Sequence, residues 1–201
     1  MQRWMLFPVT LILALLMVGC ASIGNTQPSN MKSLEDYRMP TDVPSAAYMT
    51  ETAEAEIAAR TPPKDCPVTV PRDPLFIPPP PYSKMSTEEY FWYGSNSLWV
   101  SLPQDGVWSG LPHDSHGYSQ KLPWWREGYV WDEEPEPALI VSGERLDAED
   151  SPLVASTANG AYADEFGSAM LTGVDLPTLG CWKITGKYKD AELSFVVWVA
   201  P

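Results

Sequence analysis

The end of the chain carries the strongest folding constraint. Residues Cys181-Trp182-Lys183-Ile184-Thr185-Gly186-Lys187-Tyr188 divide cleanly at alternate positions. Trp182, Ile184 and Tyr188 fall on one side, and Cys181, Lys183, Thr185 and Lys187 on the other, which is the two-residue period of a β-strand. The aromatic side is the core side, so Cys181 points away from the core. The partner strand of the hairpin is Leu193-Ser194-Phe195-Val196-Val197-Trp198-Val199. Leu193, Phe195, Val197 and Val199 share one face. Val196 and Trp198 hold the opposite face and are too apolar to leave in water. Another segment must cover them.

Similar signals recur from Tyr90 onward. Apolar or aromatic runs occur at Tyr90-Tyr93, Leu98-Leu102, Trp124-Trp131, Leu139-Val141 and Met170-Val174. Turn formers separate them, at Gly94-Ser95-Asn96, Pro103-Gln104-Asp105-Gly106, Glu134-Pro135-Glu136-Pro137 and Asn159-Gly160. Short strands at this spacing, without helical periodicity, predict an all-β fold: a single antiparallel β-sandwich over residues 90–201. The closing hairpin resembles the last two strands of immunoglobulin-like sandwiches, a likeness of architecture that carries no function.

Residues 62–89 read as a proline-rich strap. The stretch TPPKDCPVTVPRDPLFIPPPPY cannot form a helix or a central strand and favours extended polyproline geometry. Its apolar Val68, Val70, Leu75, Phe76 and Ile77 are residues that a spacer in water does not need. The strap is therefore expected to pack along the domain and to cover Val196 and Trp198. Upstream, residues 46–60 are rich in Ala and Glu and predict a short helix with Ser45 as N-cap. Thr61-Pro62-Pro63 ends it. Residues 20–61 as a whole, polar over most of their length, read as a flexible tether that includes this helix.

The N-terminus is an address. Met1-Gln2-Arg3-Trp4 carries one positive charge, and an uncharged apolar run of about 14 residues follows, Met5 to Val18. This is the layout of a signal peptide over residues 1–19. A spanning helix needs roughly 20 apolar residues. The run closes as Leu16-Met17-Val18-Gly19-Cys20, which resembles the bacterial lipobox, with Met17 where leucine is commoner. The resemblance implies that Cys20 becomes the first residue of the mature chain and carries acyl chains. Two or more chains give stable membrane anchoring where one gives only marginal binding. Ala21 after the cysteine, in place of aspartate, resembles the pattern sent to an outer membrane where the cell has one. The expected location is extracytoplasmic.

Lipid on Cys20 leaves two of the three cysteines, Cys66 and Cys181. An even pair in an oxidising compartment predicts a disulfide. It would close a loop of about 115 residues, for which chain entropy gives roughly 4–5 kcal/mol before strain is subtracted. The formal charge of the chain is −13, and loss of Arg3 with the signal peptide makes the mature chain more acidic still. So acidic a surface argues against nucleic acid and anionic headgroups as partners.

Further strings carry a resemblance over about Cys66 to Pro201. Gly180-Cys181-Trp182-Lys183-Ile184-Thr185-Gly186, followed by Glu192-Leu193-Ser194-Phe195-Val196-Val197-Trp198-Val199, is similar to the end of a family of bacterial secreted proteins and lipoproteins. Tyr90-Phe91-Trp92-Tyr93-Gly94, Leu98-Trp99, Asp105-Gly106-Val107-Trp108, Trp124-Trp125-Arg126 and Gly167-Ser168-Ala169-Met170-Leu171 match it too. The resemblance implies secretion and brings no activity with it.

Candidate chemistry is sparse. His113 and His116 are the two histidines, in Leu111-Pro112-His113-Asp114-Ser115-His116-Gly117. Such a loop can offer two or three ligands, but no further ligand is marked, and the bland reading is a polar surface loop. No Gly-x-Ser-x-Gly motif occurs. The acidic stretches at Asp132-Glu133-Glu134 and Asp147 to Asp150 lack the spacing of a known calcium loop and read as solvated turns. No metal and no cofactor are indicated.

Tryptophan is the conspicuous residue. Adjacent Trp124 and Trp125 must point to opposite sides of a strand. One is expected in the core. The other, beside Arg126, Glu127 and Tyr129, has two readings: it faces out, able to stack on a sugar ring or clasp a peptide, or, like most tryptophans of such a domain, it fills the sandwich core or packs under the strap. Trp124, Trp125, Arg126 and Tyr129 are therefore the candidate ligand-binding residues. Three functions stay open: a non-enzymatic binding module of the cell envelope with a glycan, peptide or envelope protein as partner; an accessory subunit or assembly factor; and a carboxylate-based hydrolase.

Overall fold

The computed structural model describes residues 46–82 and 88–201, with the side chains of the first helix described from Ala53 onward. The signal peptide, Cys20, the tether up to residue 45 and residues 83–87 of the strap lie outside the described residues. Helix α1 spans Ala46–Arg60. Eleven strands follow: β1 Tyr90–Ser95, β2 Leu98–Pro103, β3 Val107–Trp108, β4 His113–Asp114, β5 Gly117–Trp125, β6 Ile140–Arg145, β7 Val154–Ala155, β8 Asn159–Ala163, β9 Gly167–Leu176, β10 Gly180–Tyr188 and β11 Ala191–Val199.

The strands form two packed sheets, an all-β sandwich. The larger has the order β1-β2-β5-β9-β7, with β4 also on β5 and β8 also on β9; the smaller is β3-β11-β10-β6. Every pairing is antiparallel except β3 with β11. The closing hairpin pairs Cys181 with Trp198 and Ile184 with Phe195. Trp182, Ile184, Tyr188, Phe195, Val197 and Val199 are all buried between the sheets, as the alternation predicts.

One large side chain sets the spacing of the layers. Trp124 projects from β5 to the smaller sheet, and its six-membered ring lies where a Cβ on Gly186 would stand, at 2.4 Å. Gly186 occupies the core side of β10 between Ile184 and Tyr188. The strand gives up one side chain so that the indole can cross the core.

Some strand limits differ from those the runs predict. Trp124-Trp131 is not one strand, because β5 ends at Trp125 and the chain then turns. The strand lies upstream, through polar Ser119, Gln120 and Lys121 and through Pro123. Pro123 stands opposite Leu171 of β9, and the pairing of β5 with β2 begins only at the next residue, Trp124. Asn159-Gly160 is the start of β8 and not a turn. Gly160 is needed for close approach: its N–H bonds Pro135 O at 2.7 Å, and a Cβ would meet Trp131 O at 2.5 Å.

The strap binds both sheets. Cys66 and Cys181 form a disulfide with Cα atoms 5.7 Å apart. The strap then runs beside β11, where Thr69 N donates to Val196 O at 2.8 Å and Val196 N donates to Thr69 Oγ1 at 2.9 Å. The indole N–H of Trp198 reaches Ala59 O near the end of α1 at 3.3 Å, which uses a carbonyl the helix leaves free. Farther along, Phe76 and Tyr82 lie 6.0 and 5.6 Å from Trp99, on the outer face of the larger sheet. Of the five apolar strap residues, Val68 and Phe76 pack, whereas Val70, Leu75 and Ile77 are exposed.

Replacing both Cys66 and Cys181 by serine should lower the unfolding free energy by roughly 2–5 kcal/mol in a urea titration. Gly186→Ala should cost about 1–3 kcal/mol by forcing Trp124 out of its place. An unchanged urea midpoint in either protein would contradict the corresponding account.

Candidate functional site

The outer face of the larger sheet is aromatic. One residue from each of four neighbouring strands points there: Trp92 of β1, Trp99 of β2, Trp125 of β5 and Ala169 of β9. Trp99 and Trp125 are register partners. Trp92 meets Trp125 edge-on at 5.0 Å. Phe166 closes the other side of Trp125 and accepts its indole N–H at the main-chain oxygen, at 3.0 Å. Phe76 and Tyr82 roof the cluster, and the Tyr82 hydroxyl donates to Ser168 O at 3.2 Å. Gly167 has φ of 67° and lets Tyr82 lie down on the turn, since a Cβ would meet the phenol ring at 2.6 Å.

Two hollows adjoin this cluster and share Trp92. The first, about 340 Å³, opens between the strap and the edge strand β1 and is walled by Pro74, Leu75, Phe76, Phe91, Trp92 and Tyr93. Leu193 of β11 and Arg72 of the strap also line it. β1 pairs with β2 alone among the described strands, and its residues Phe91 to Ser95 line this space. The second hollow, about 250 Å³, is walled by Tyr82, Trp92, Tyr162 and Phe166 with Asp164 and Glu165 beside them.

The expected stacking surface at Trp124 and Trp125 is not there. Trp124 is 0 % exposed and fills the inter-sheet core; Trp125 is 2 % exposed beneath Trp92 and Phe166. They do point to opposite sides, but the outer side is itself covered, because a sheet with aromatic residues on both faces needs two apolar layers. Among the described residues the indole most open to water is Trp131, at 40 %.

Arg126 and Tyr129 lie at the end of the sandwich, around a third hollow of about 230 Å³. Arg126 pairs with Asp190 at 2.8 Å and lies over the ring of Tyr188. The Tyr129 hydroxyl donates to Glu134 O at 2.9 Å, and its ring meets Tyr188 edge-on. Burial, with the neighbouring Tyr188 and Glu134, pushes the Tyr129 phenol up to about 12. Glu134 accepts the Tyr188 hydroxyl at 2.5 Å and the Lys189 ammonium at 3.0 Å, and the tyrosine bond holds its carboxyl below the usual range. Arg126 with Asp190 and Lys189 with Glu134 are paired here, so Arg126, Tyr129 and Tyr188 belong to an internal network.

The acidic stretches act in the same way, where the sequence indicates only solvated turns. Arg145 donates to Asp147 at 2.7 Å and lies 3.4 Å from Asp150, with Thr178 bonded to both Arg145 and Asp150. Asp147 also accepts Cys181 N at 3.2 Å, which ties this cluster to the disulfide. The histidines flank a tight turn between β4 and β5. Asp114 accepts His116 N at 2.7 Å, and His113 stacks on Tyr118 at 4.5 Å. Among the described residues no three histidine, cysteine or carboxylate side chains converge. What the sequence reading missed is the role of Trp92, Phe166 and Tyr162. For Trp92 the signal lies in Tyr90-Phe91-Trp92-Tyr93, where an alternating strand has aromatic residues on both faces; Tyr162 and Phe166 carry no such local signal.

Compared with known proteins, the chain matches no family model, no curated protein and no solved structure.

The displaced titrations fix a pH profile. Glu134 and Asp147 are lowered, so the stability they contribute is complete above the ordinary carboxylate range and is lost as acid protonates them. Tyr129 is raised from 10.0 to about 12, so its contribution is complete below pH 10 and disappears as pH rises through 12. Unfolding followed across both limbs should show loss of stability at each end, and Asp147→Asn should flatten the acid limb. An acid limb of unchanged slope in that variant would contradict the role given to Asp147.

Proposed function

We propose that this protein is a lipid-anchored, extracytoplasmic binding module without a catalytic site, and that it holds an extended peptide segment in the groove between the strap and β1. The observation that carries this reading is the groove itself. It combines the free edge of a β-strand with apolar and aromatic walls. An edge strand pairs with the main chain of an added segment, while wall pockets take alternate side chains. Its volume of about 340 Å³ lies at the small end of ligand sites, enough for one or two side chains. The roof is a strap pinned at Cys66, so the walls need little ordering when a ligand arrives.

Binding is favoured over hydrolysis by the state of the carboxyl groups. Every clearly displaced carboxyl among the described residues, at Asp114, Glu134, Asp147, Asp150 and Asp190, is held below its ordinary range by hydrogen bonds or ion pairs. A glycoside hydrolase needs a raised acid beside an ionised partner. Anchoring is supported by the sequence Leu16-Met17-Val18-Gly19-Cys20.

Two measurements test this. Cys20→Ser should abolish incorporation of labelled fatty acid and release the protein from membranes; continued labelling would reject the lipid site. A peptide library screened by tryptophan fluorescence should yield binders that slow hydrogen exchange at Phe91–Ser95, and Leu193→Arg should weaken them at least tenfold. Failure of the whole library to bind, or protection confined to other strands, would overturn the peptide reading.

A further inference from the structure

The second hollow differs from the first in charge. Its aromatic walls, Tyr82, Trp92, Tyr162 and Phe166, are joined by the carboxylates of Asp164 and Glu165, and none of the described residues that line it is basic. Aromatic faces carry negative electrostatic potential at their centres and attract cations; nearby carboxylates add to that field. A neutral apolar ligand gains nothing from the two acids, and an anion is repelled by them.

The walls are also fixed before any ligand arrives. Tyr82 is held by its bond to Ser168 O and by contact with Gly167. Phe166 is tied to Trp125 through its main-chain oxygen. Tyr162, which is 56 % exposed, donates its hydroxyl to Asp164 Oδ1 at 3.1 Å, so the carboxylate is oriented by one of the aromatic walls. That bond also raises the Tyr162 phenol, as expected beside an ionised acid. A space of about 250 Å³ suits an alkylammonium head group better than a sugar chain.

We propose that this hollow is an organic-cation site that receives the ammonium group of a lysine side chain. Trp92 is common to both hollows. A segment lying along β1 therefore has the aromatic cage within side-chain reach, and the lysine belongs to that segment. The assignment of lysine as the carrier rests on the peptide reading above; the preference for a cation rests on the hollow alone.

The test uses the whole chain and tryptophan fluorescence. The probes are choline, Nα-acetyl-lysine amide, its uncharged counterpart Nα-acetyl-norleucine amide, and a neutral oligosaccharide. Choline and the lysine amide should bind and the norleucine amide should bind about tenfold more weakly or not at all. Affinity should fall as ionic strength is raised from about 0.01 to about 1 M. Asp164→Asn combined with Glu165→Gln, both exposed positions, should weaken the cations about tenfold, and Tyr162→Ala should do the same, with the folded spectrum unchanged. The titrations are repeated on Lys84→Gln, because residues 83–87 lie outside the described structure; a cation that binds this variant alone supports the same assignment. Equal binding of the lysine and norleucine amides, preference for the oligosaccharide, or no cation binding to either protein overturns the proposal. Groove-binding peptides indifferent to lysine or norleucine would overturn it and leave the peptide reading intact. Choline binding without any peptide protecting β1 would keep the cation site and reject the peptide.

Discussion

The disulfide between Cys66 and Cys181 fixes the start of a segment that then crosses from one sheet to the other. The large side chains that segment covers are apolar. On the smaller sheet it shields Val196 and Trp198, through the paired bonds between Thr69 and Val196 and through the end of α1. On the larger sheet Phe76 and Tyr82 close over Trp99, which is fully buried although it stands on an outer face. A two-layer sandwich buries one face of each sheet. Here part of both outer faces is also buried, and without the strap these indoles would meet water. At roughly 25 cal/mol per Å² of apolar surface, each large aromatic side chain so covered is worth a few kcal/mol.

The aromatic side chains are thus divided between two layers by strand parity. Trp124 enters the inter-sheet core and Trp125 the outer cluster, because successive residues of β5 face opposite ways. The inner indole needs the absence of a side chain at Gly186. The outer one needs Phe166 on the β8–β9 turn and Trp92 on the edge strand. Both candidate hollows exist because the outer cluster stops short at β1. Trp92 borders both of them, one with Leu75 and Phe76 of the strap and the other with Tyr82 and Phe166.

The acidic charge is used locally. Arg145 with Asp147 and Asp150, and Lys189 with Glu134, tie loops to strand ends, and Asp147 joins the first of these networks to the main chain at Cys181. Such partly exposed pairs contribute modestly to stability. Their effect is mainly positional: they hold the loops at the two ends of β10 where the disulfide and Tyr188 are buried. Asp164 and Glu165 have no basic partner among the described ion pairs, which sets that corner of the surface apart.

Local pattern in the sequence was enough for the all-β class, the closing hairpin with its faces, the pairing of Cys66 with Cys181, and the need for a cover over Val196 and Trp198. Each follows from a two-residue period, from parity of cysteines or from the cost of leaving indoles in water. The candidate site was not legible in the same way. Trp124 and Trp125 were placed on opposite sides correctly, but exposure depends on what lies above a face, and Phe166, Phe76 and Trp92 come from distant parts of the chain. Arg126 and Tyr129 looked like ligand contacts, and only the fold brought Asp190, Glu134 and Tyr188 to them. The sequence by itself determined which residues share a strand face, because alternation is a property of neighbours. Only the tertiary structure decided which faces are open, because covering a face is a contact between residues far apart in the chain.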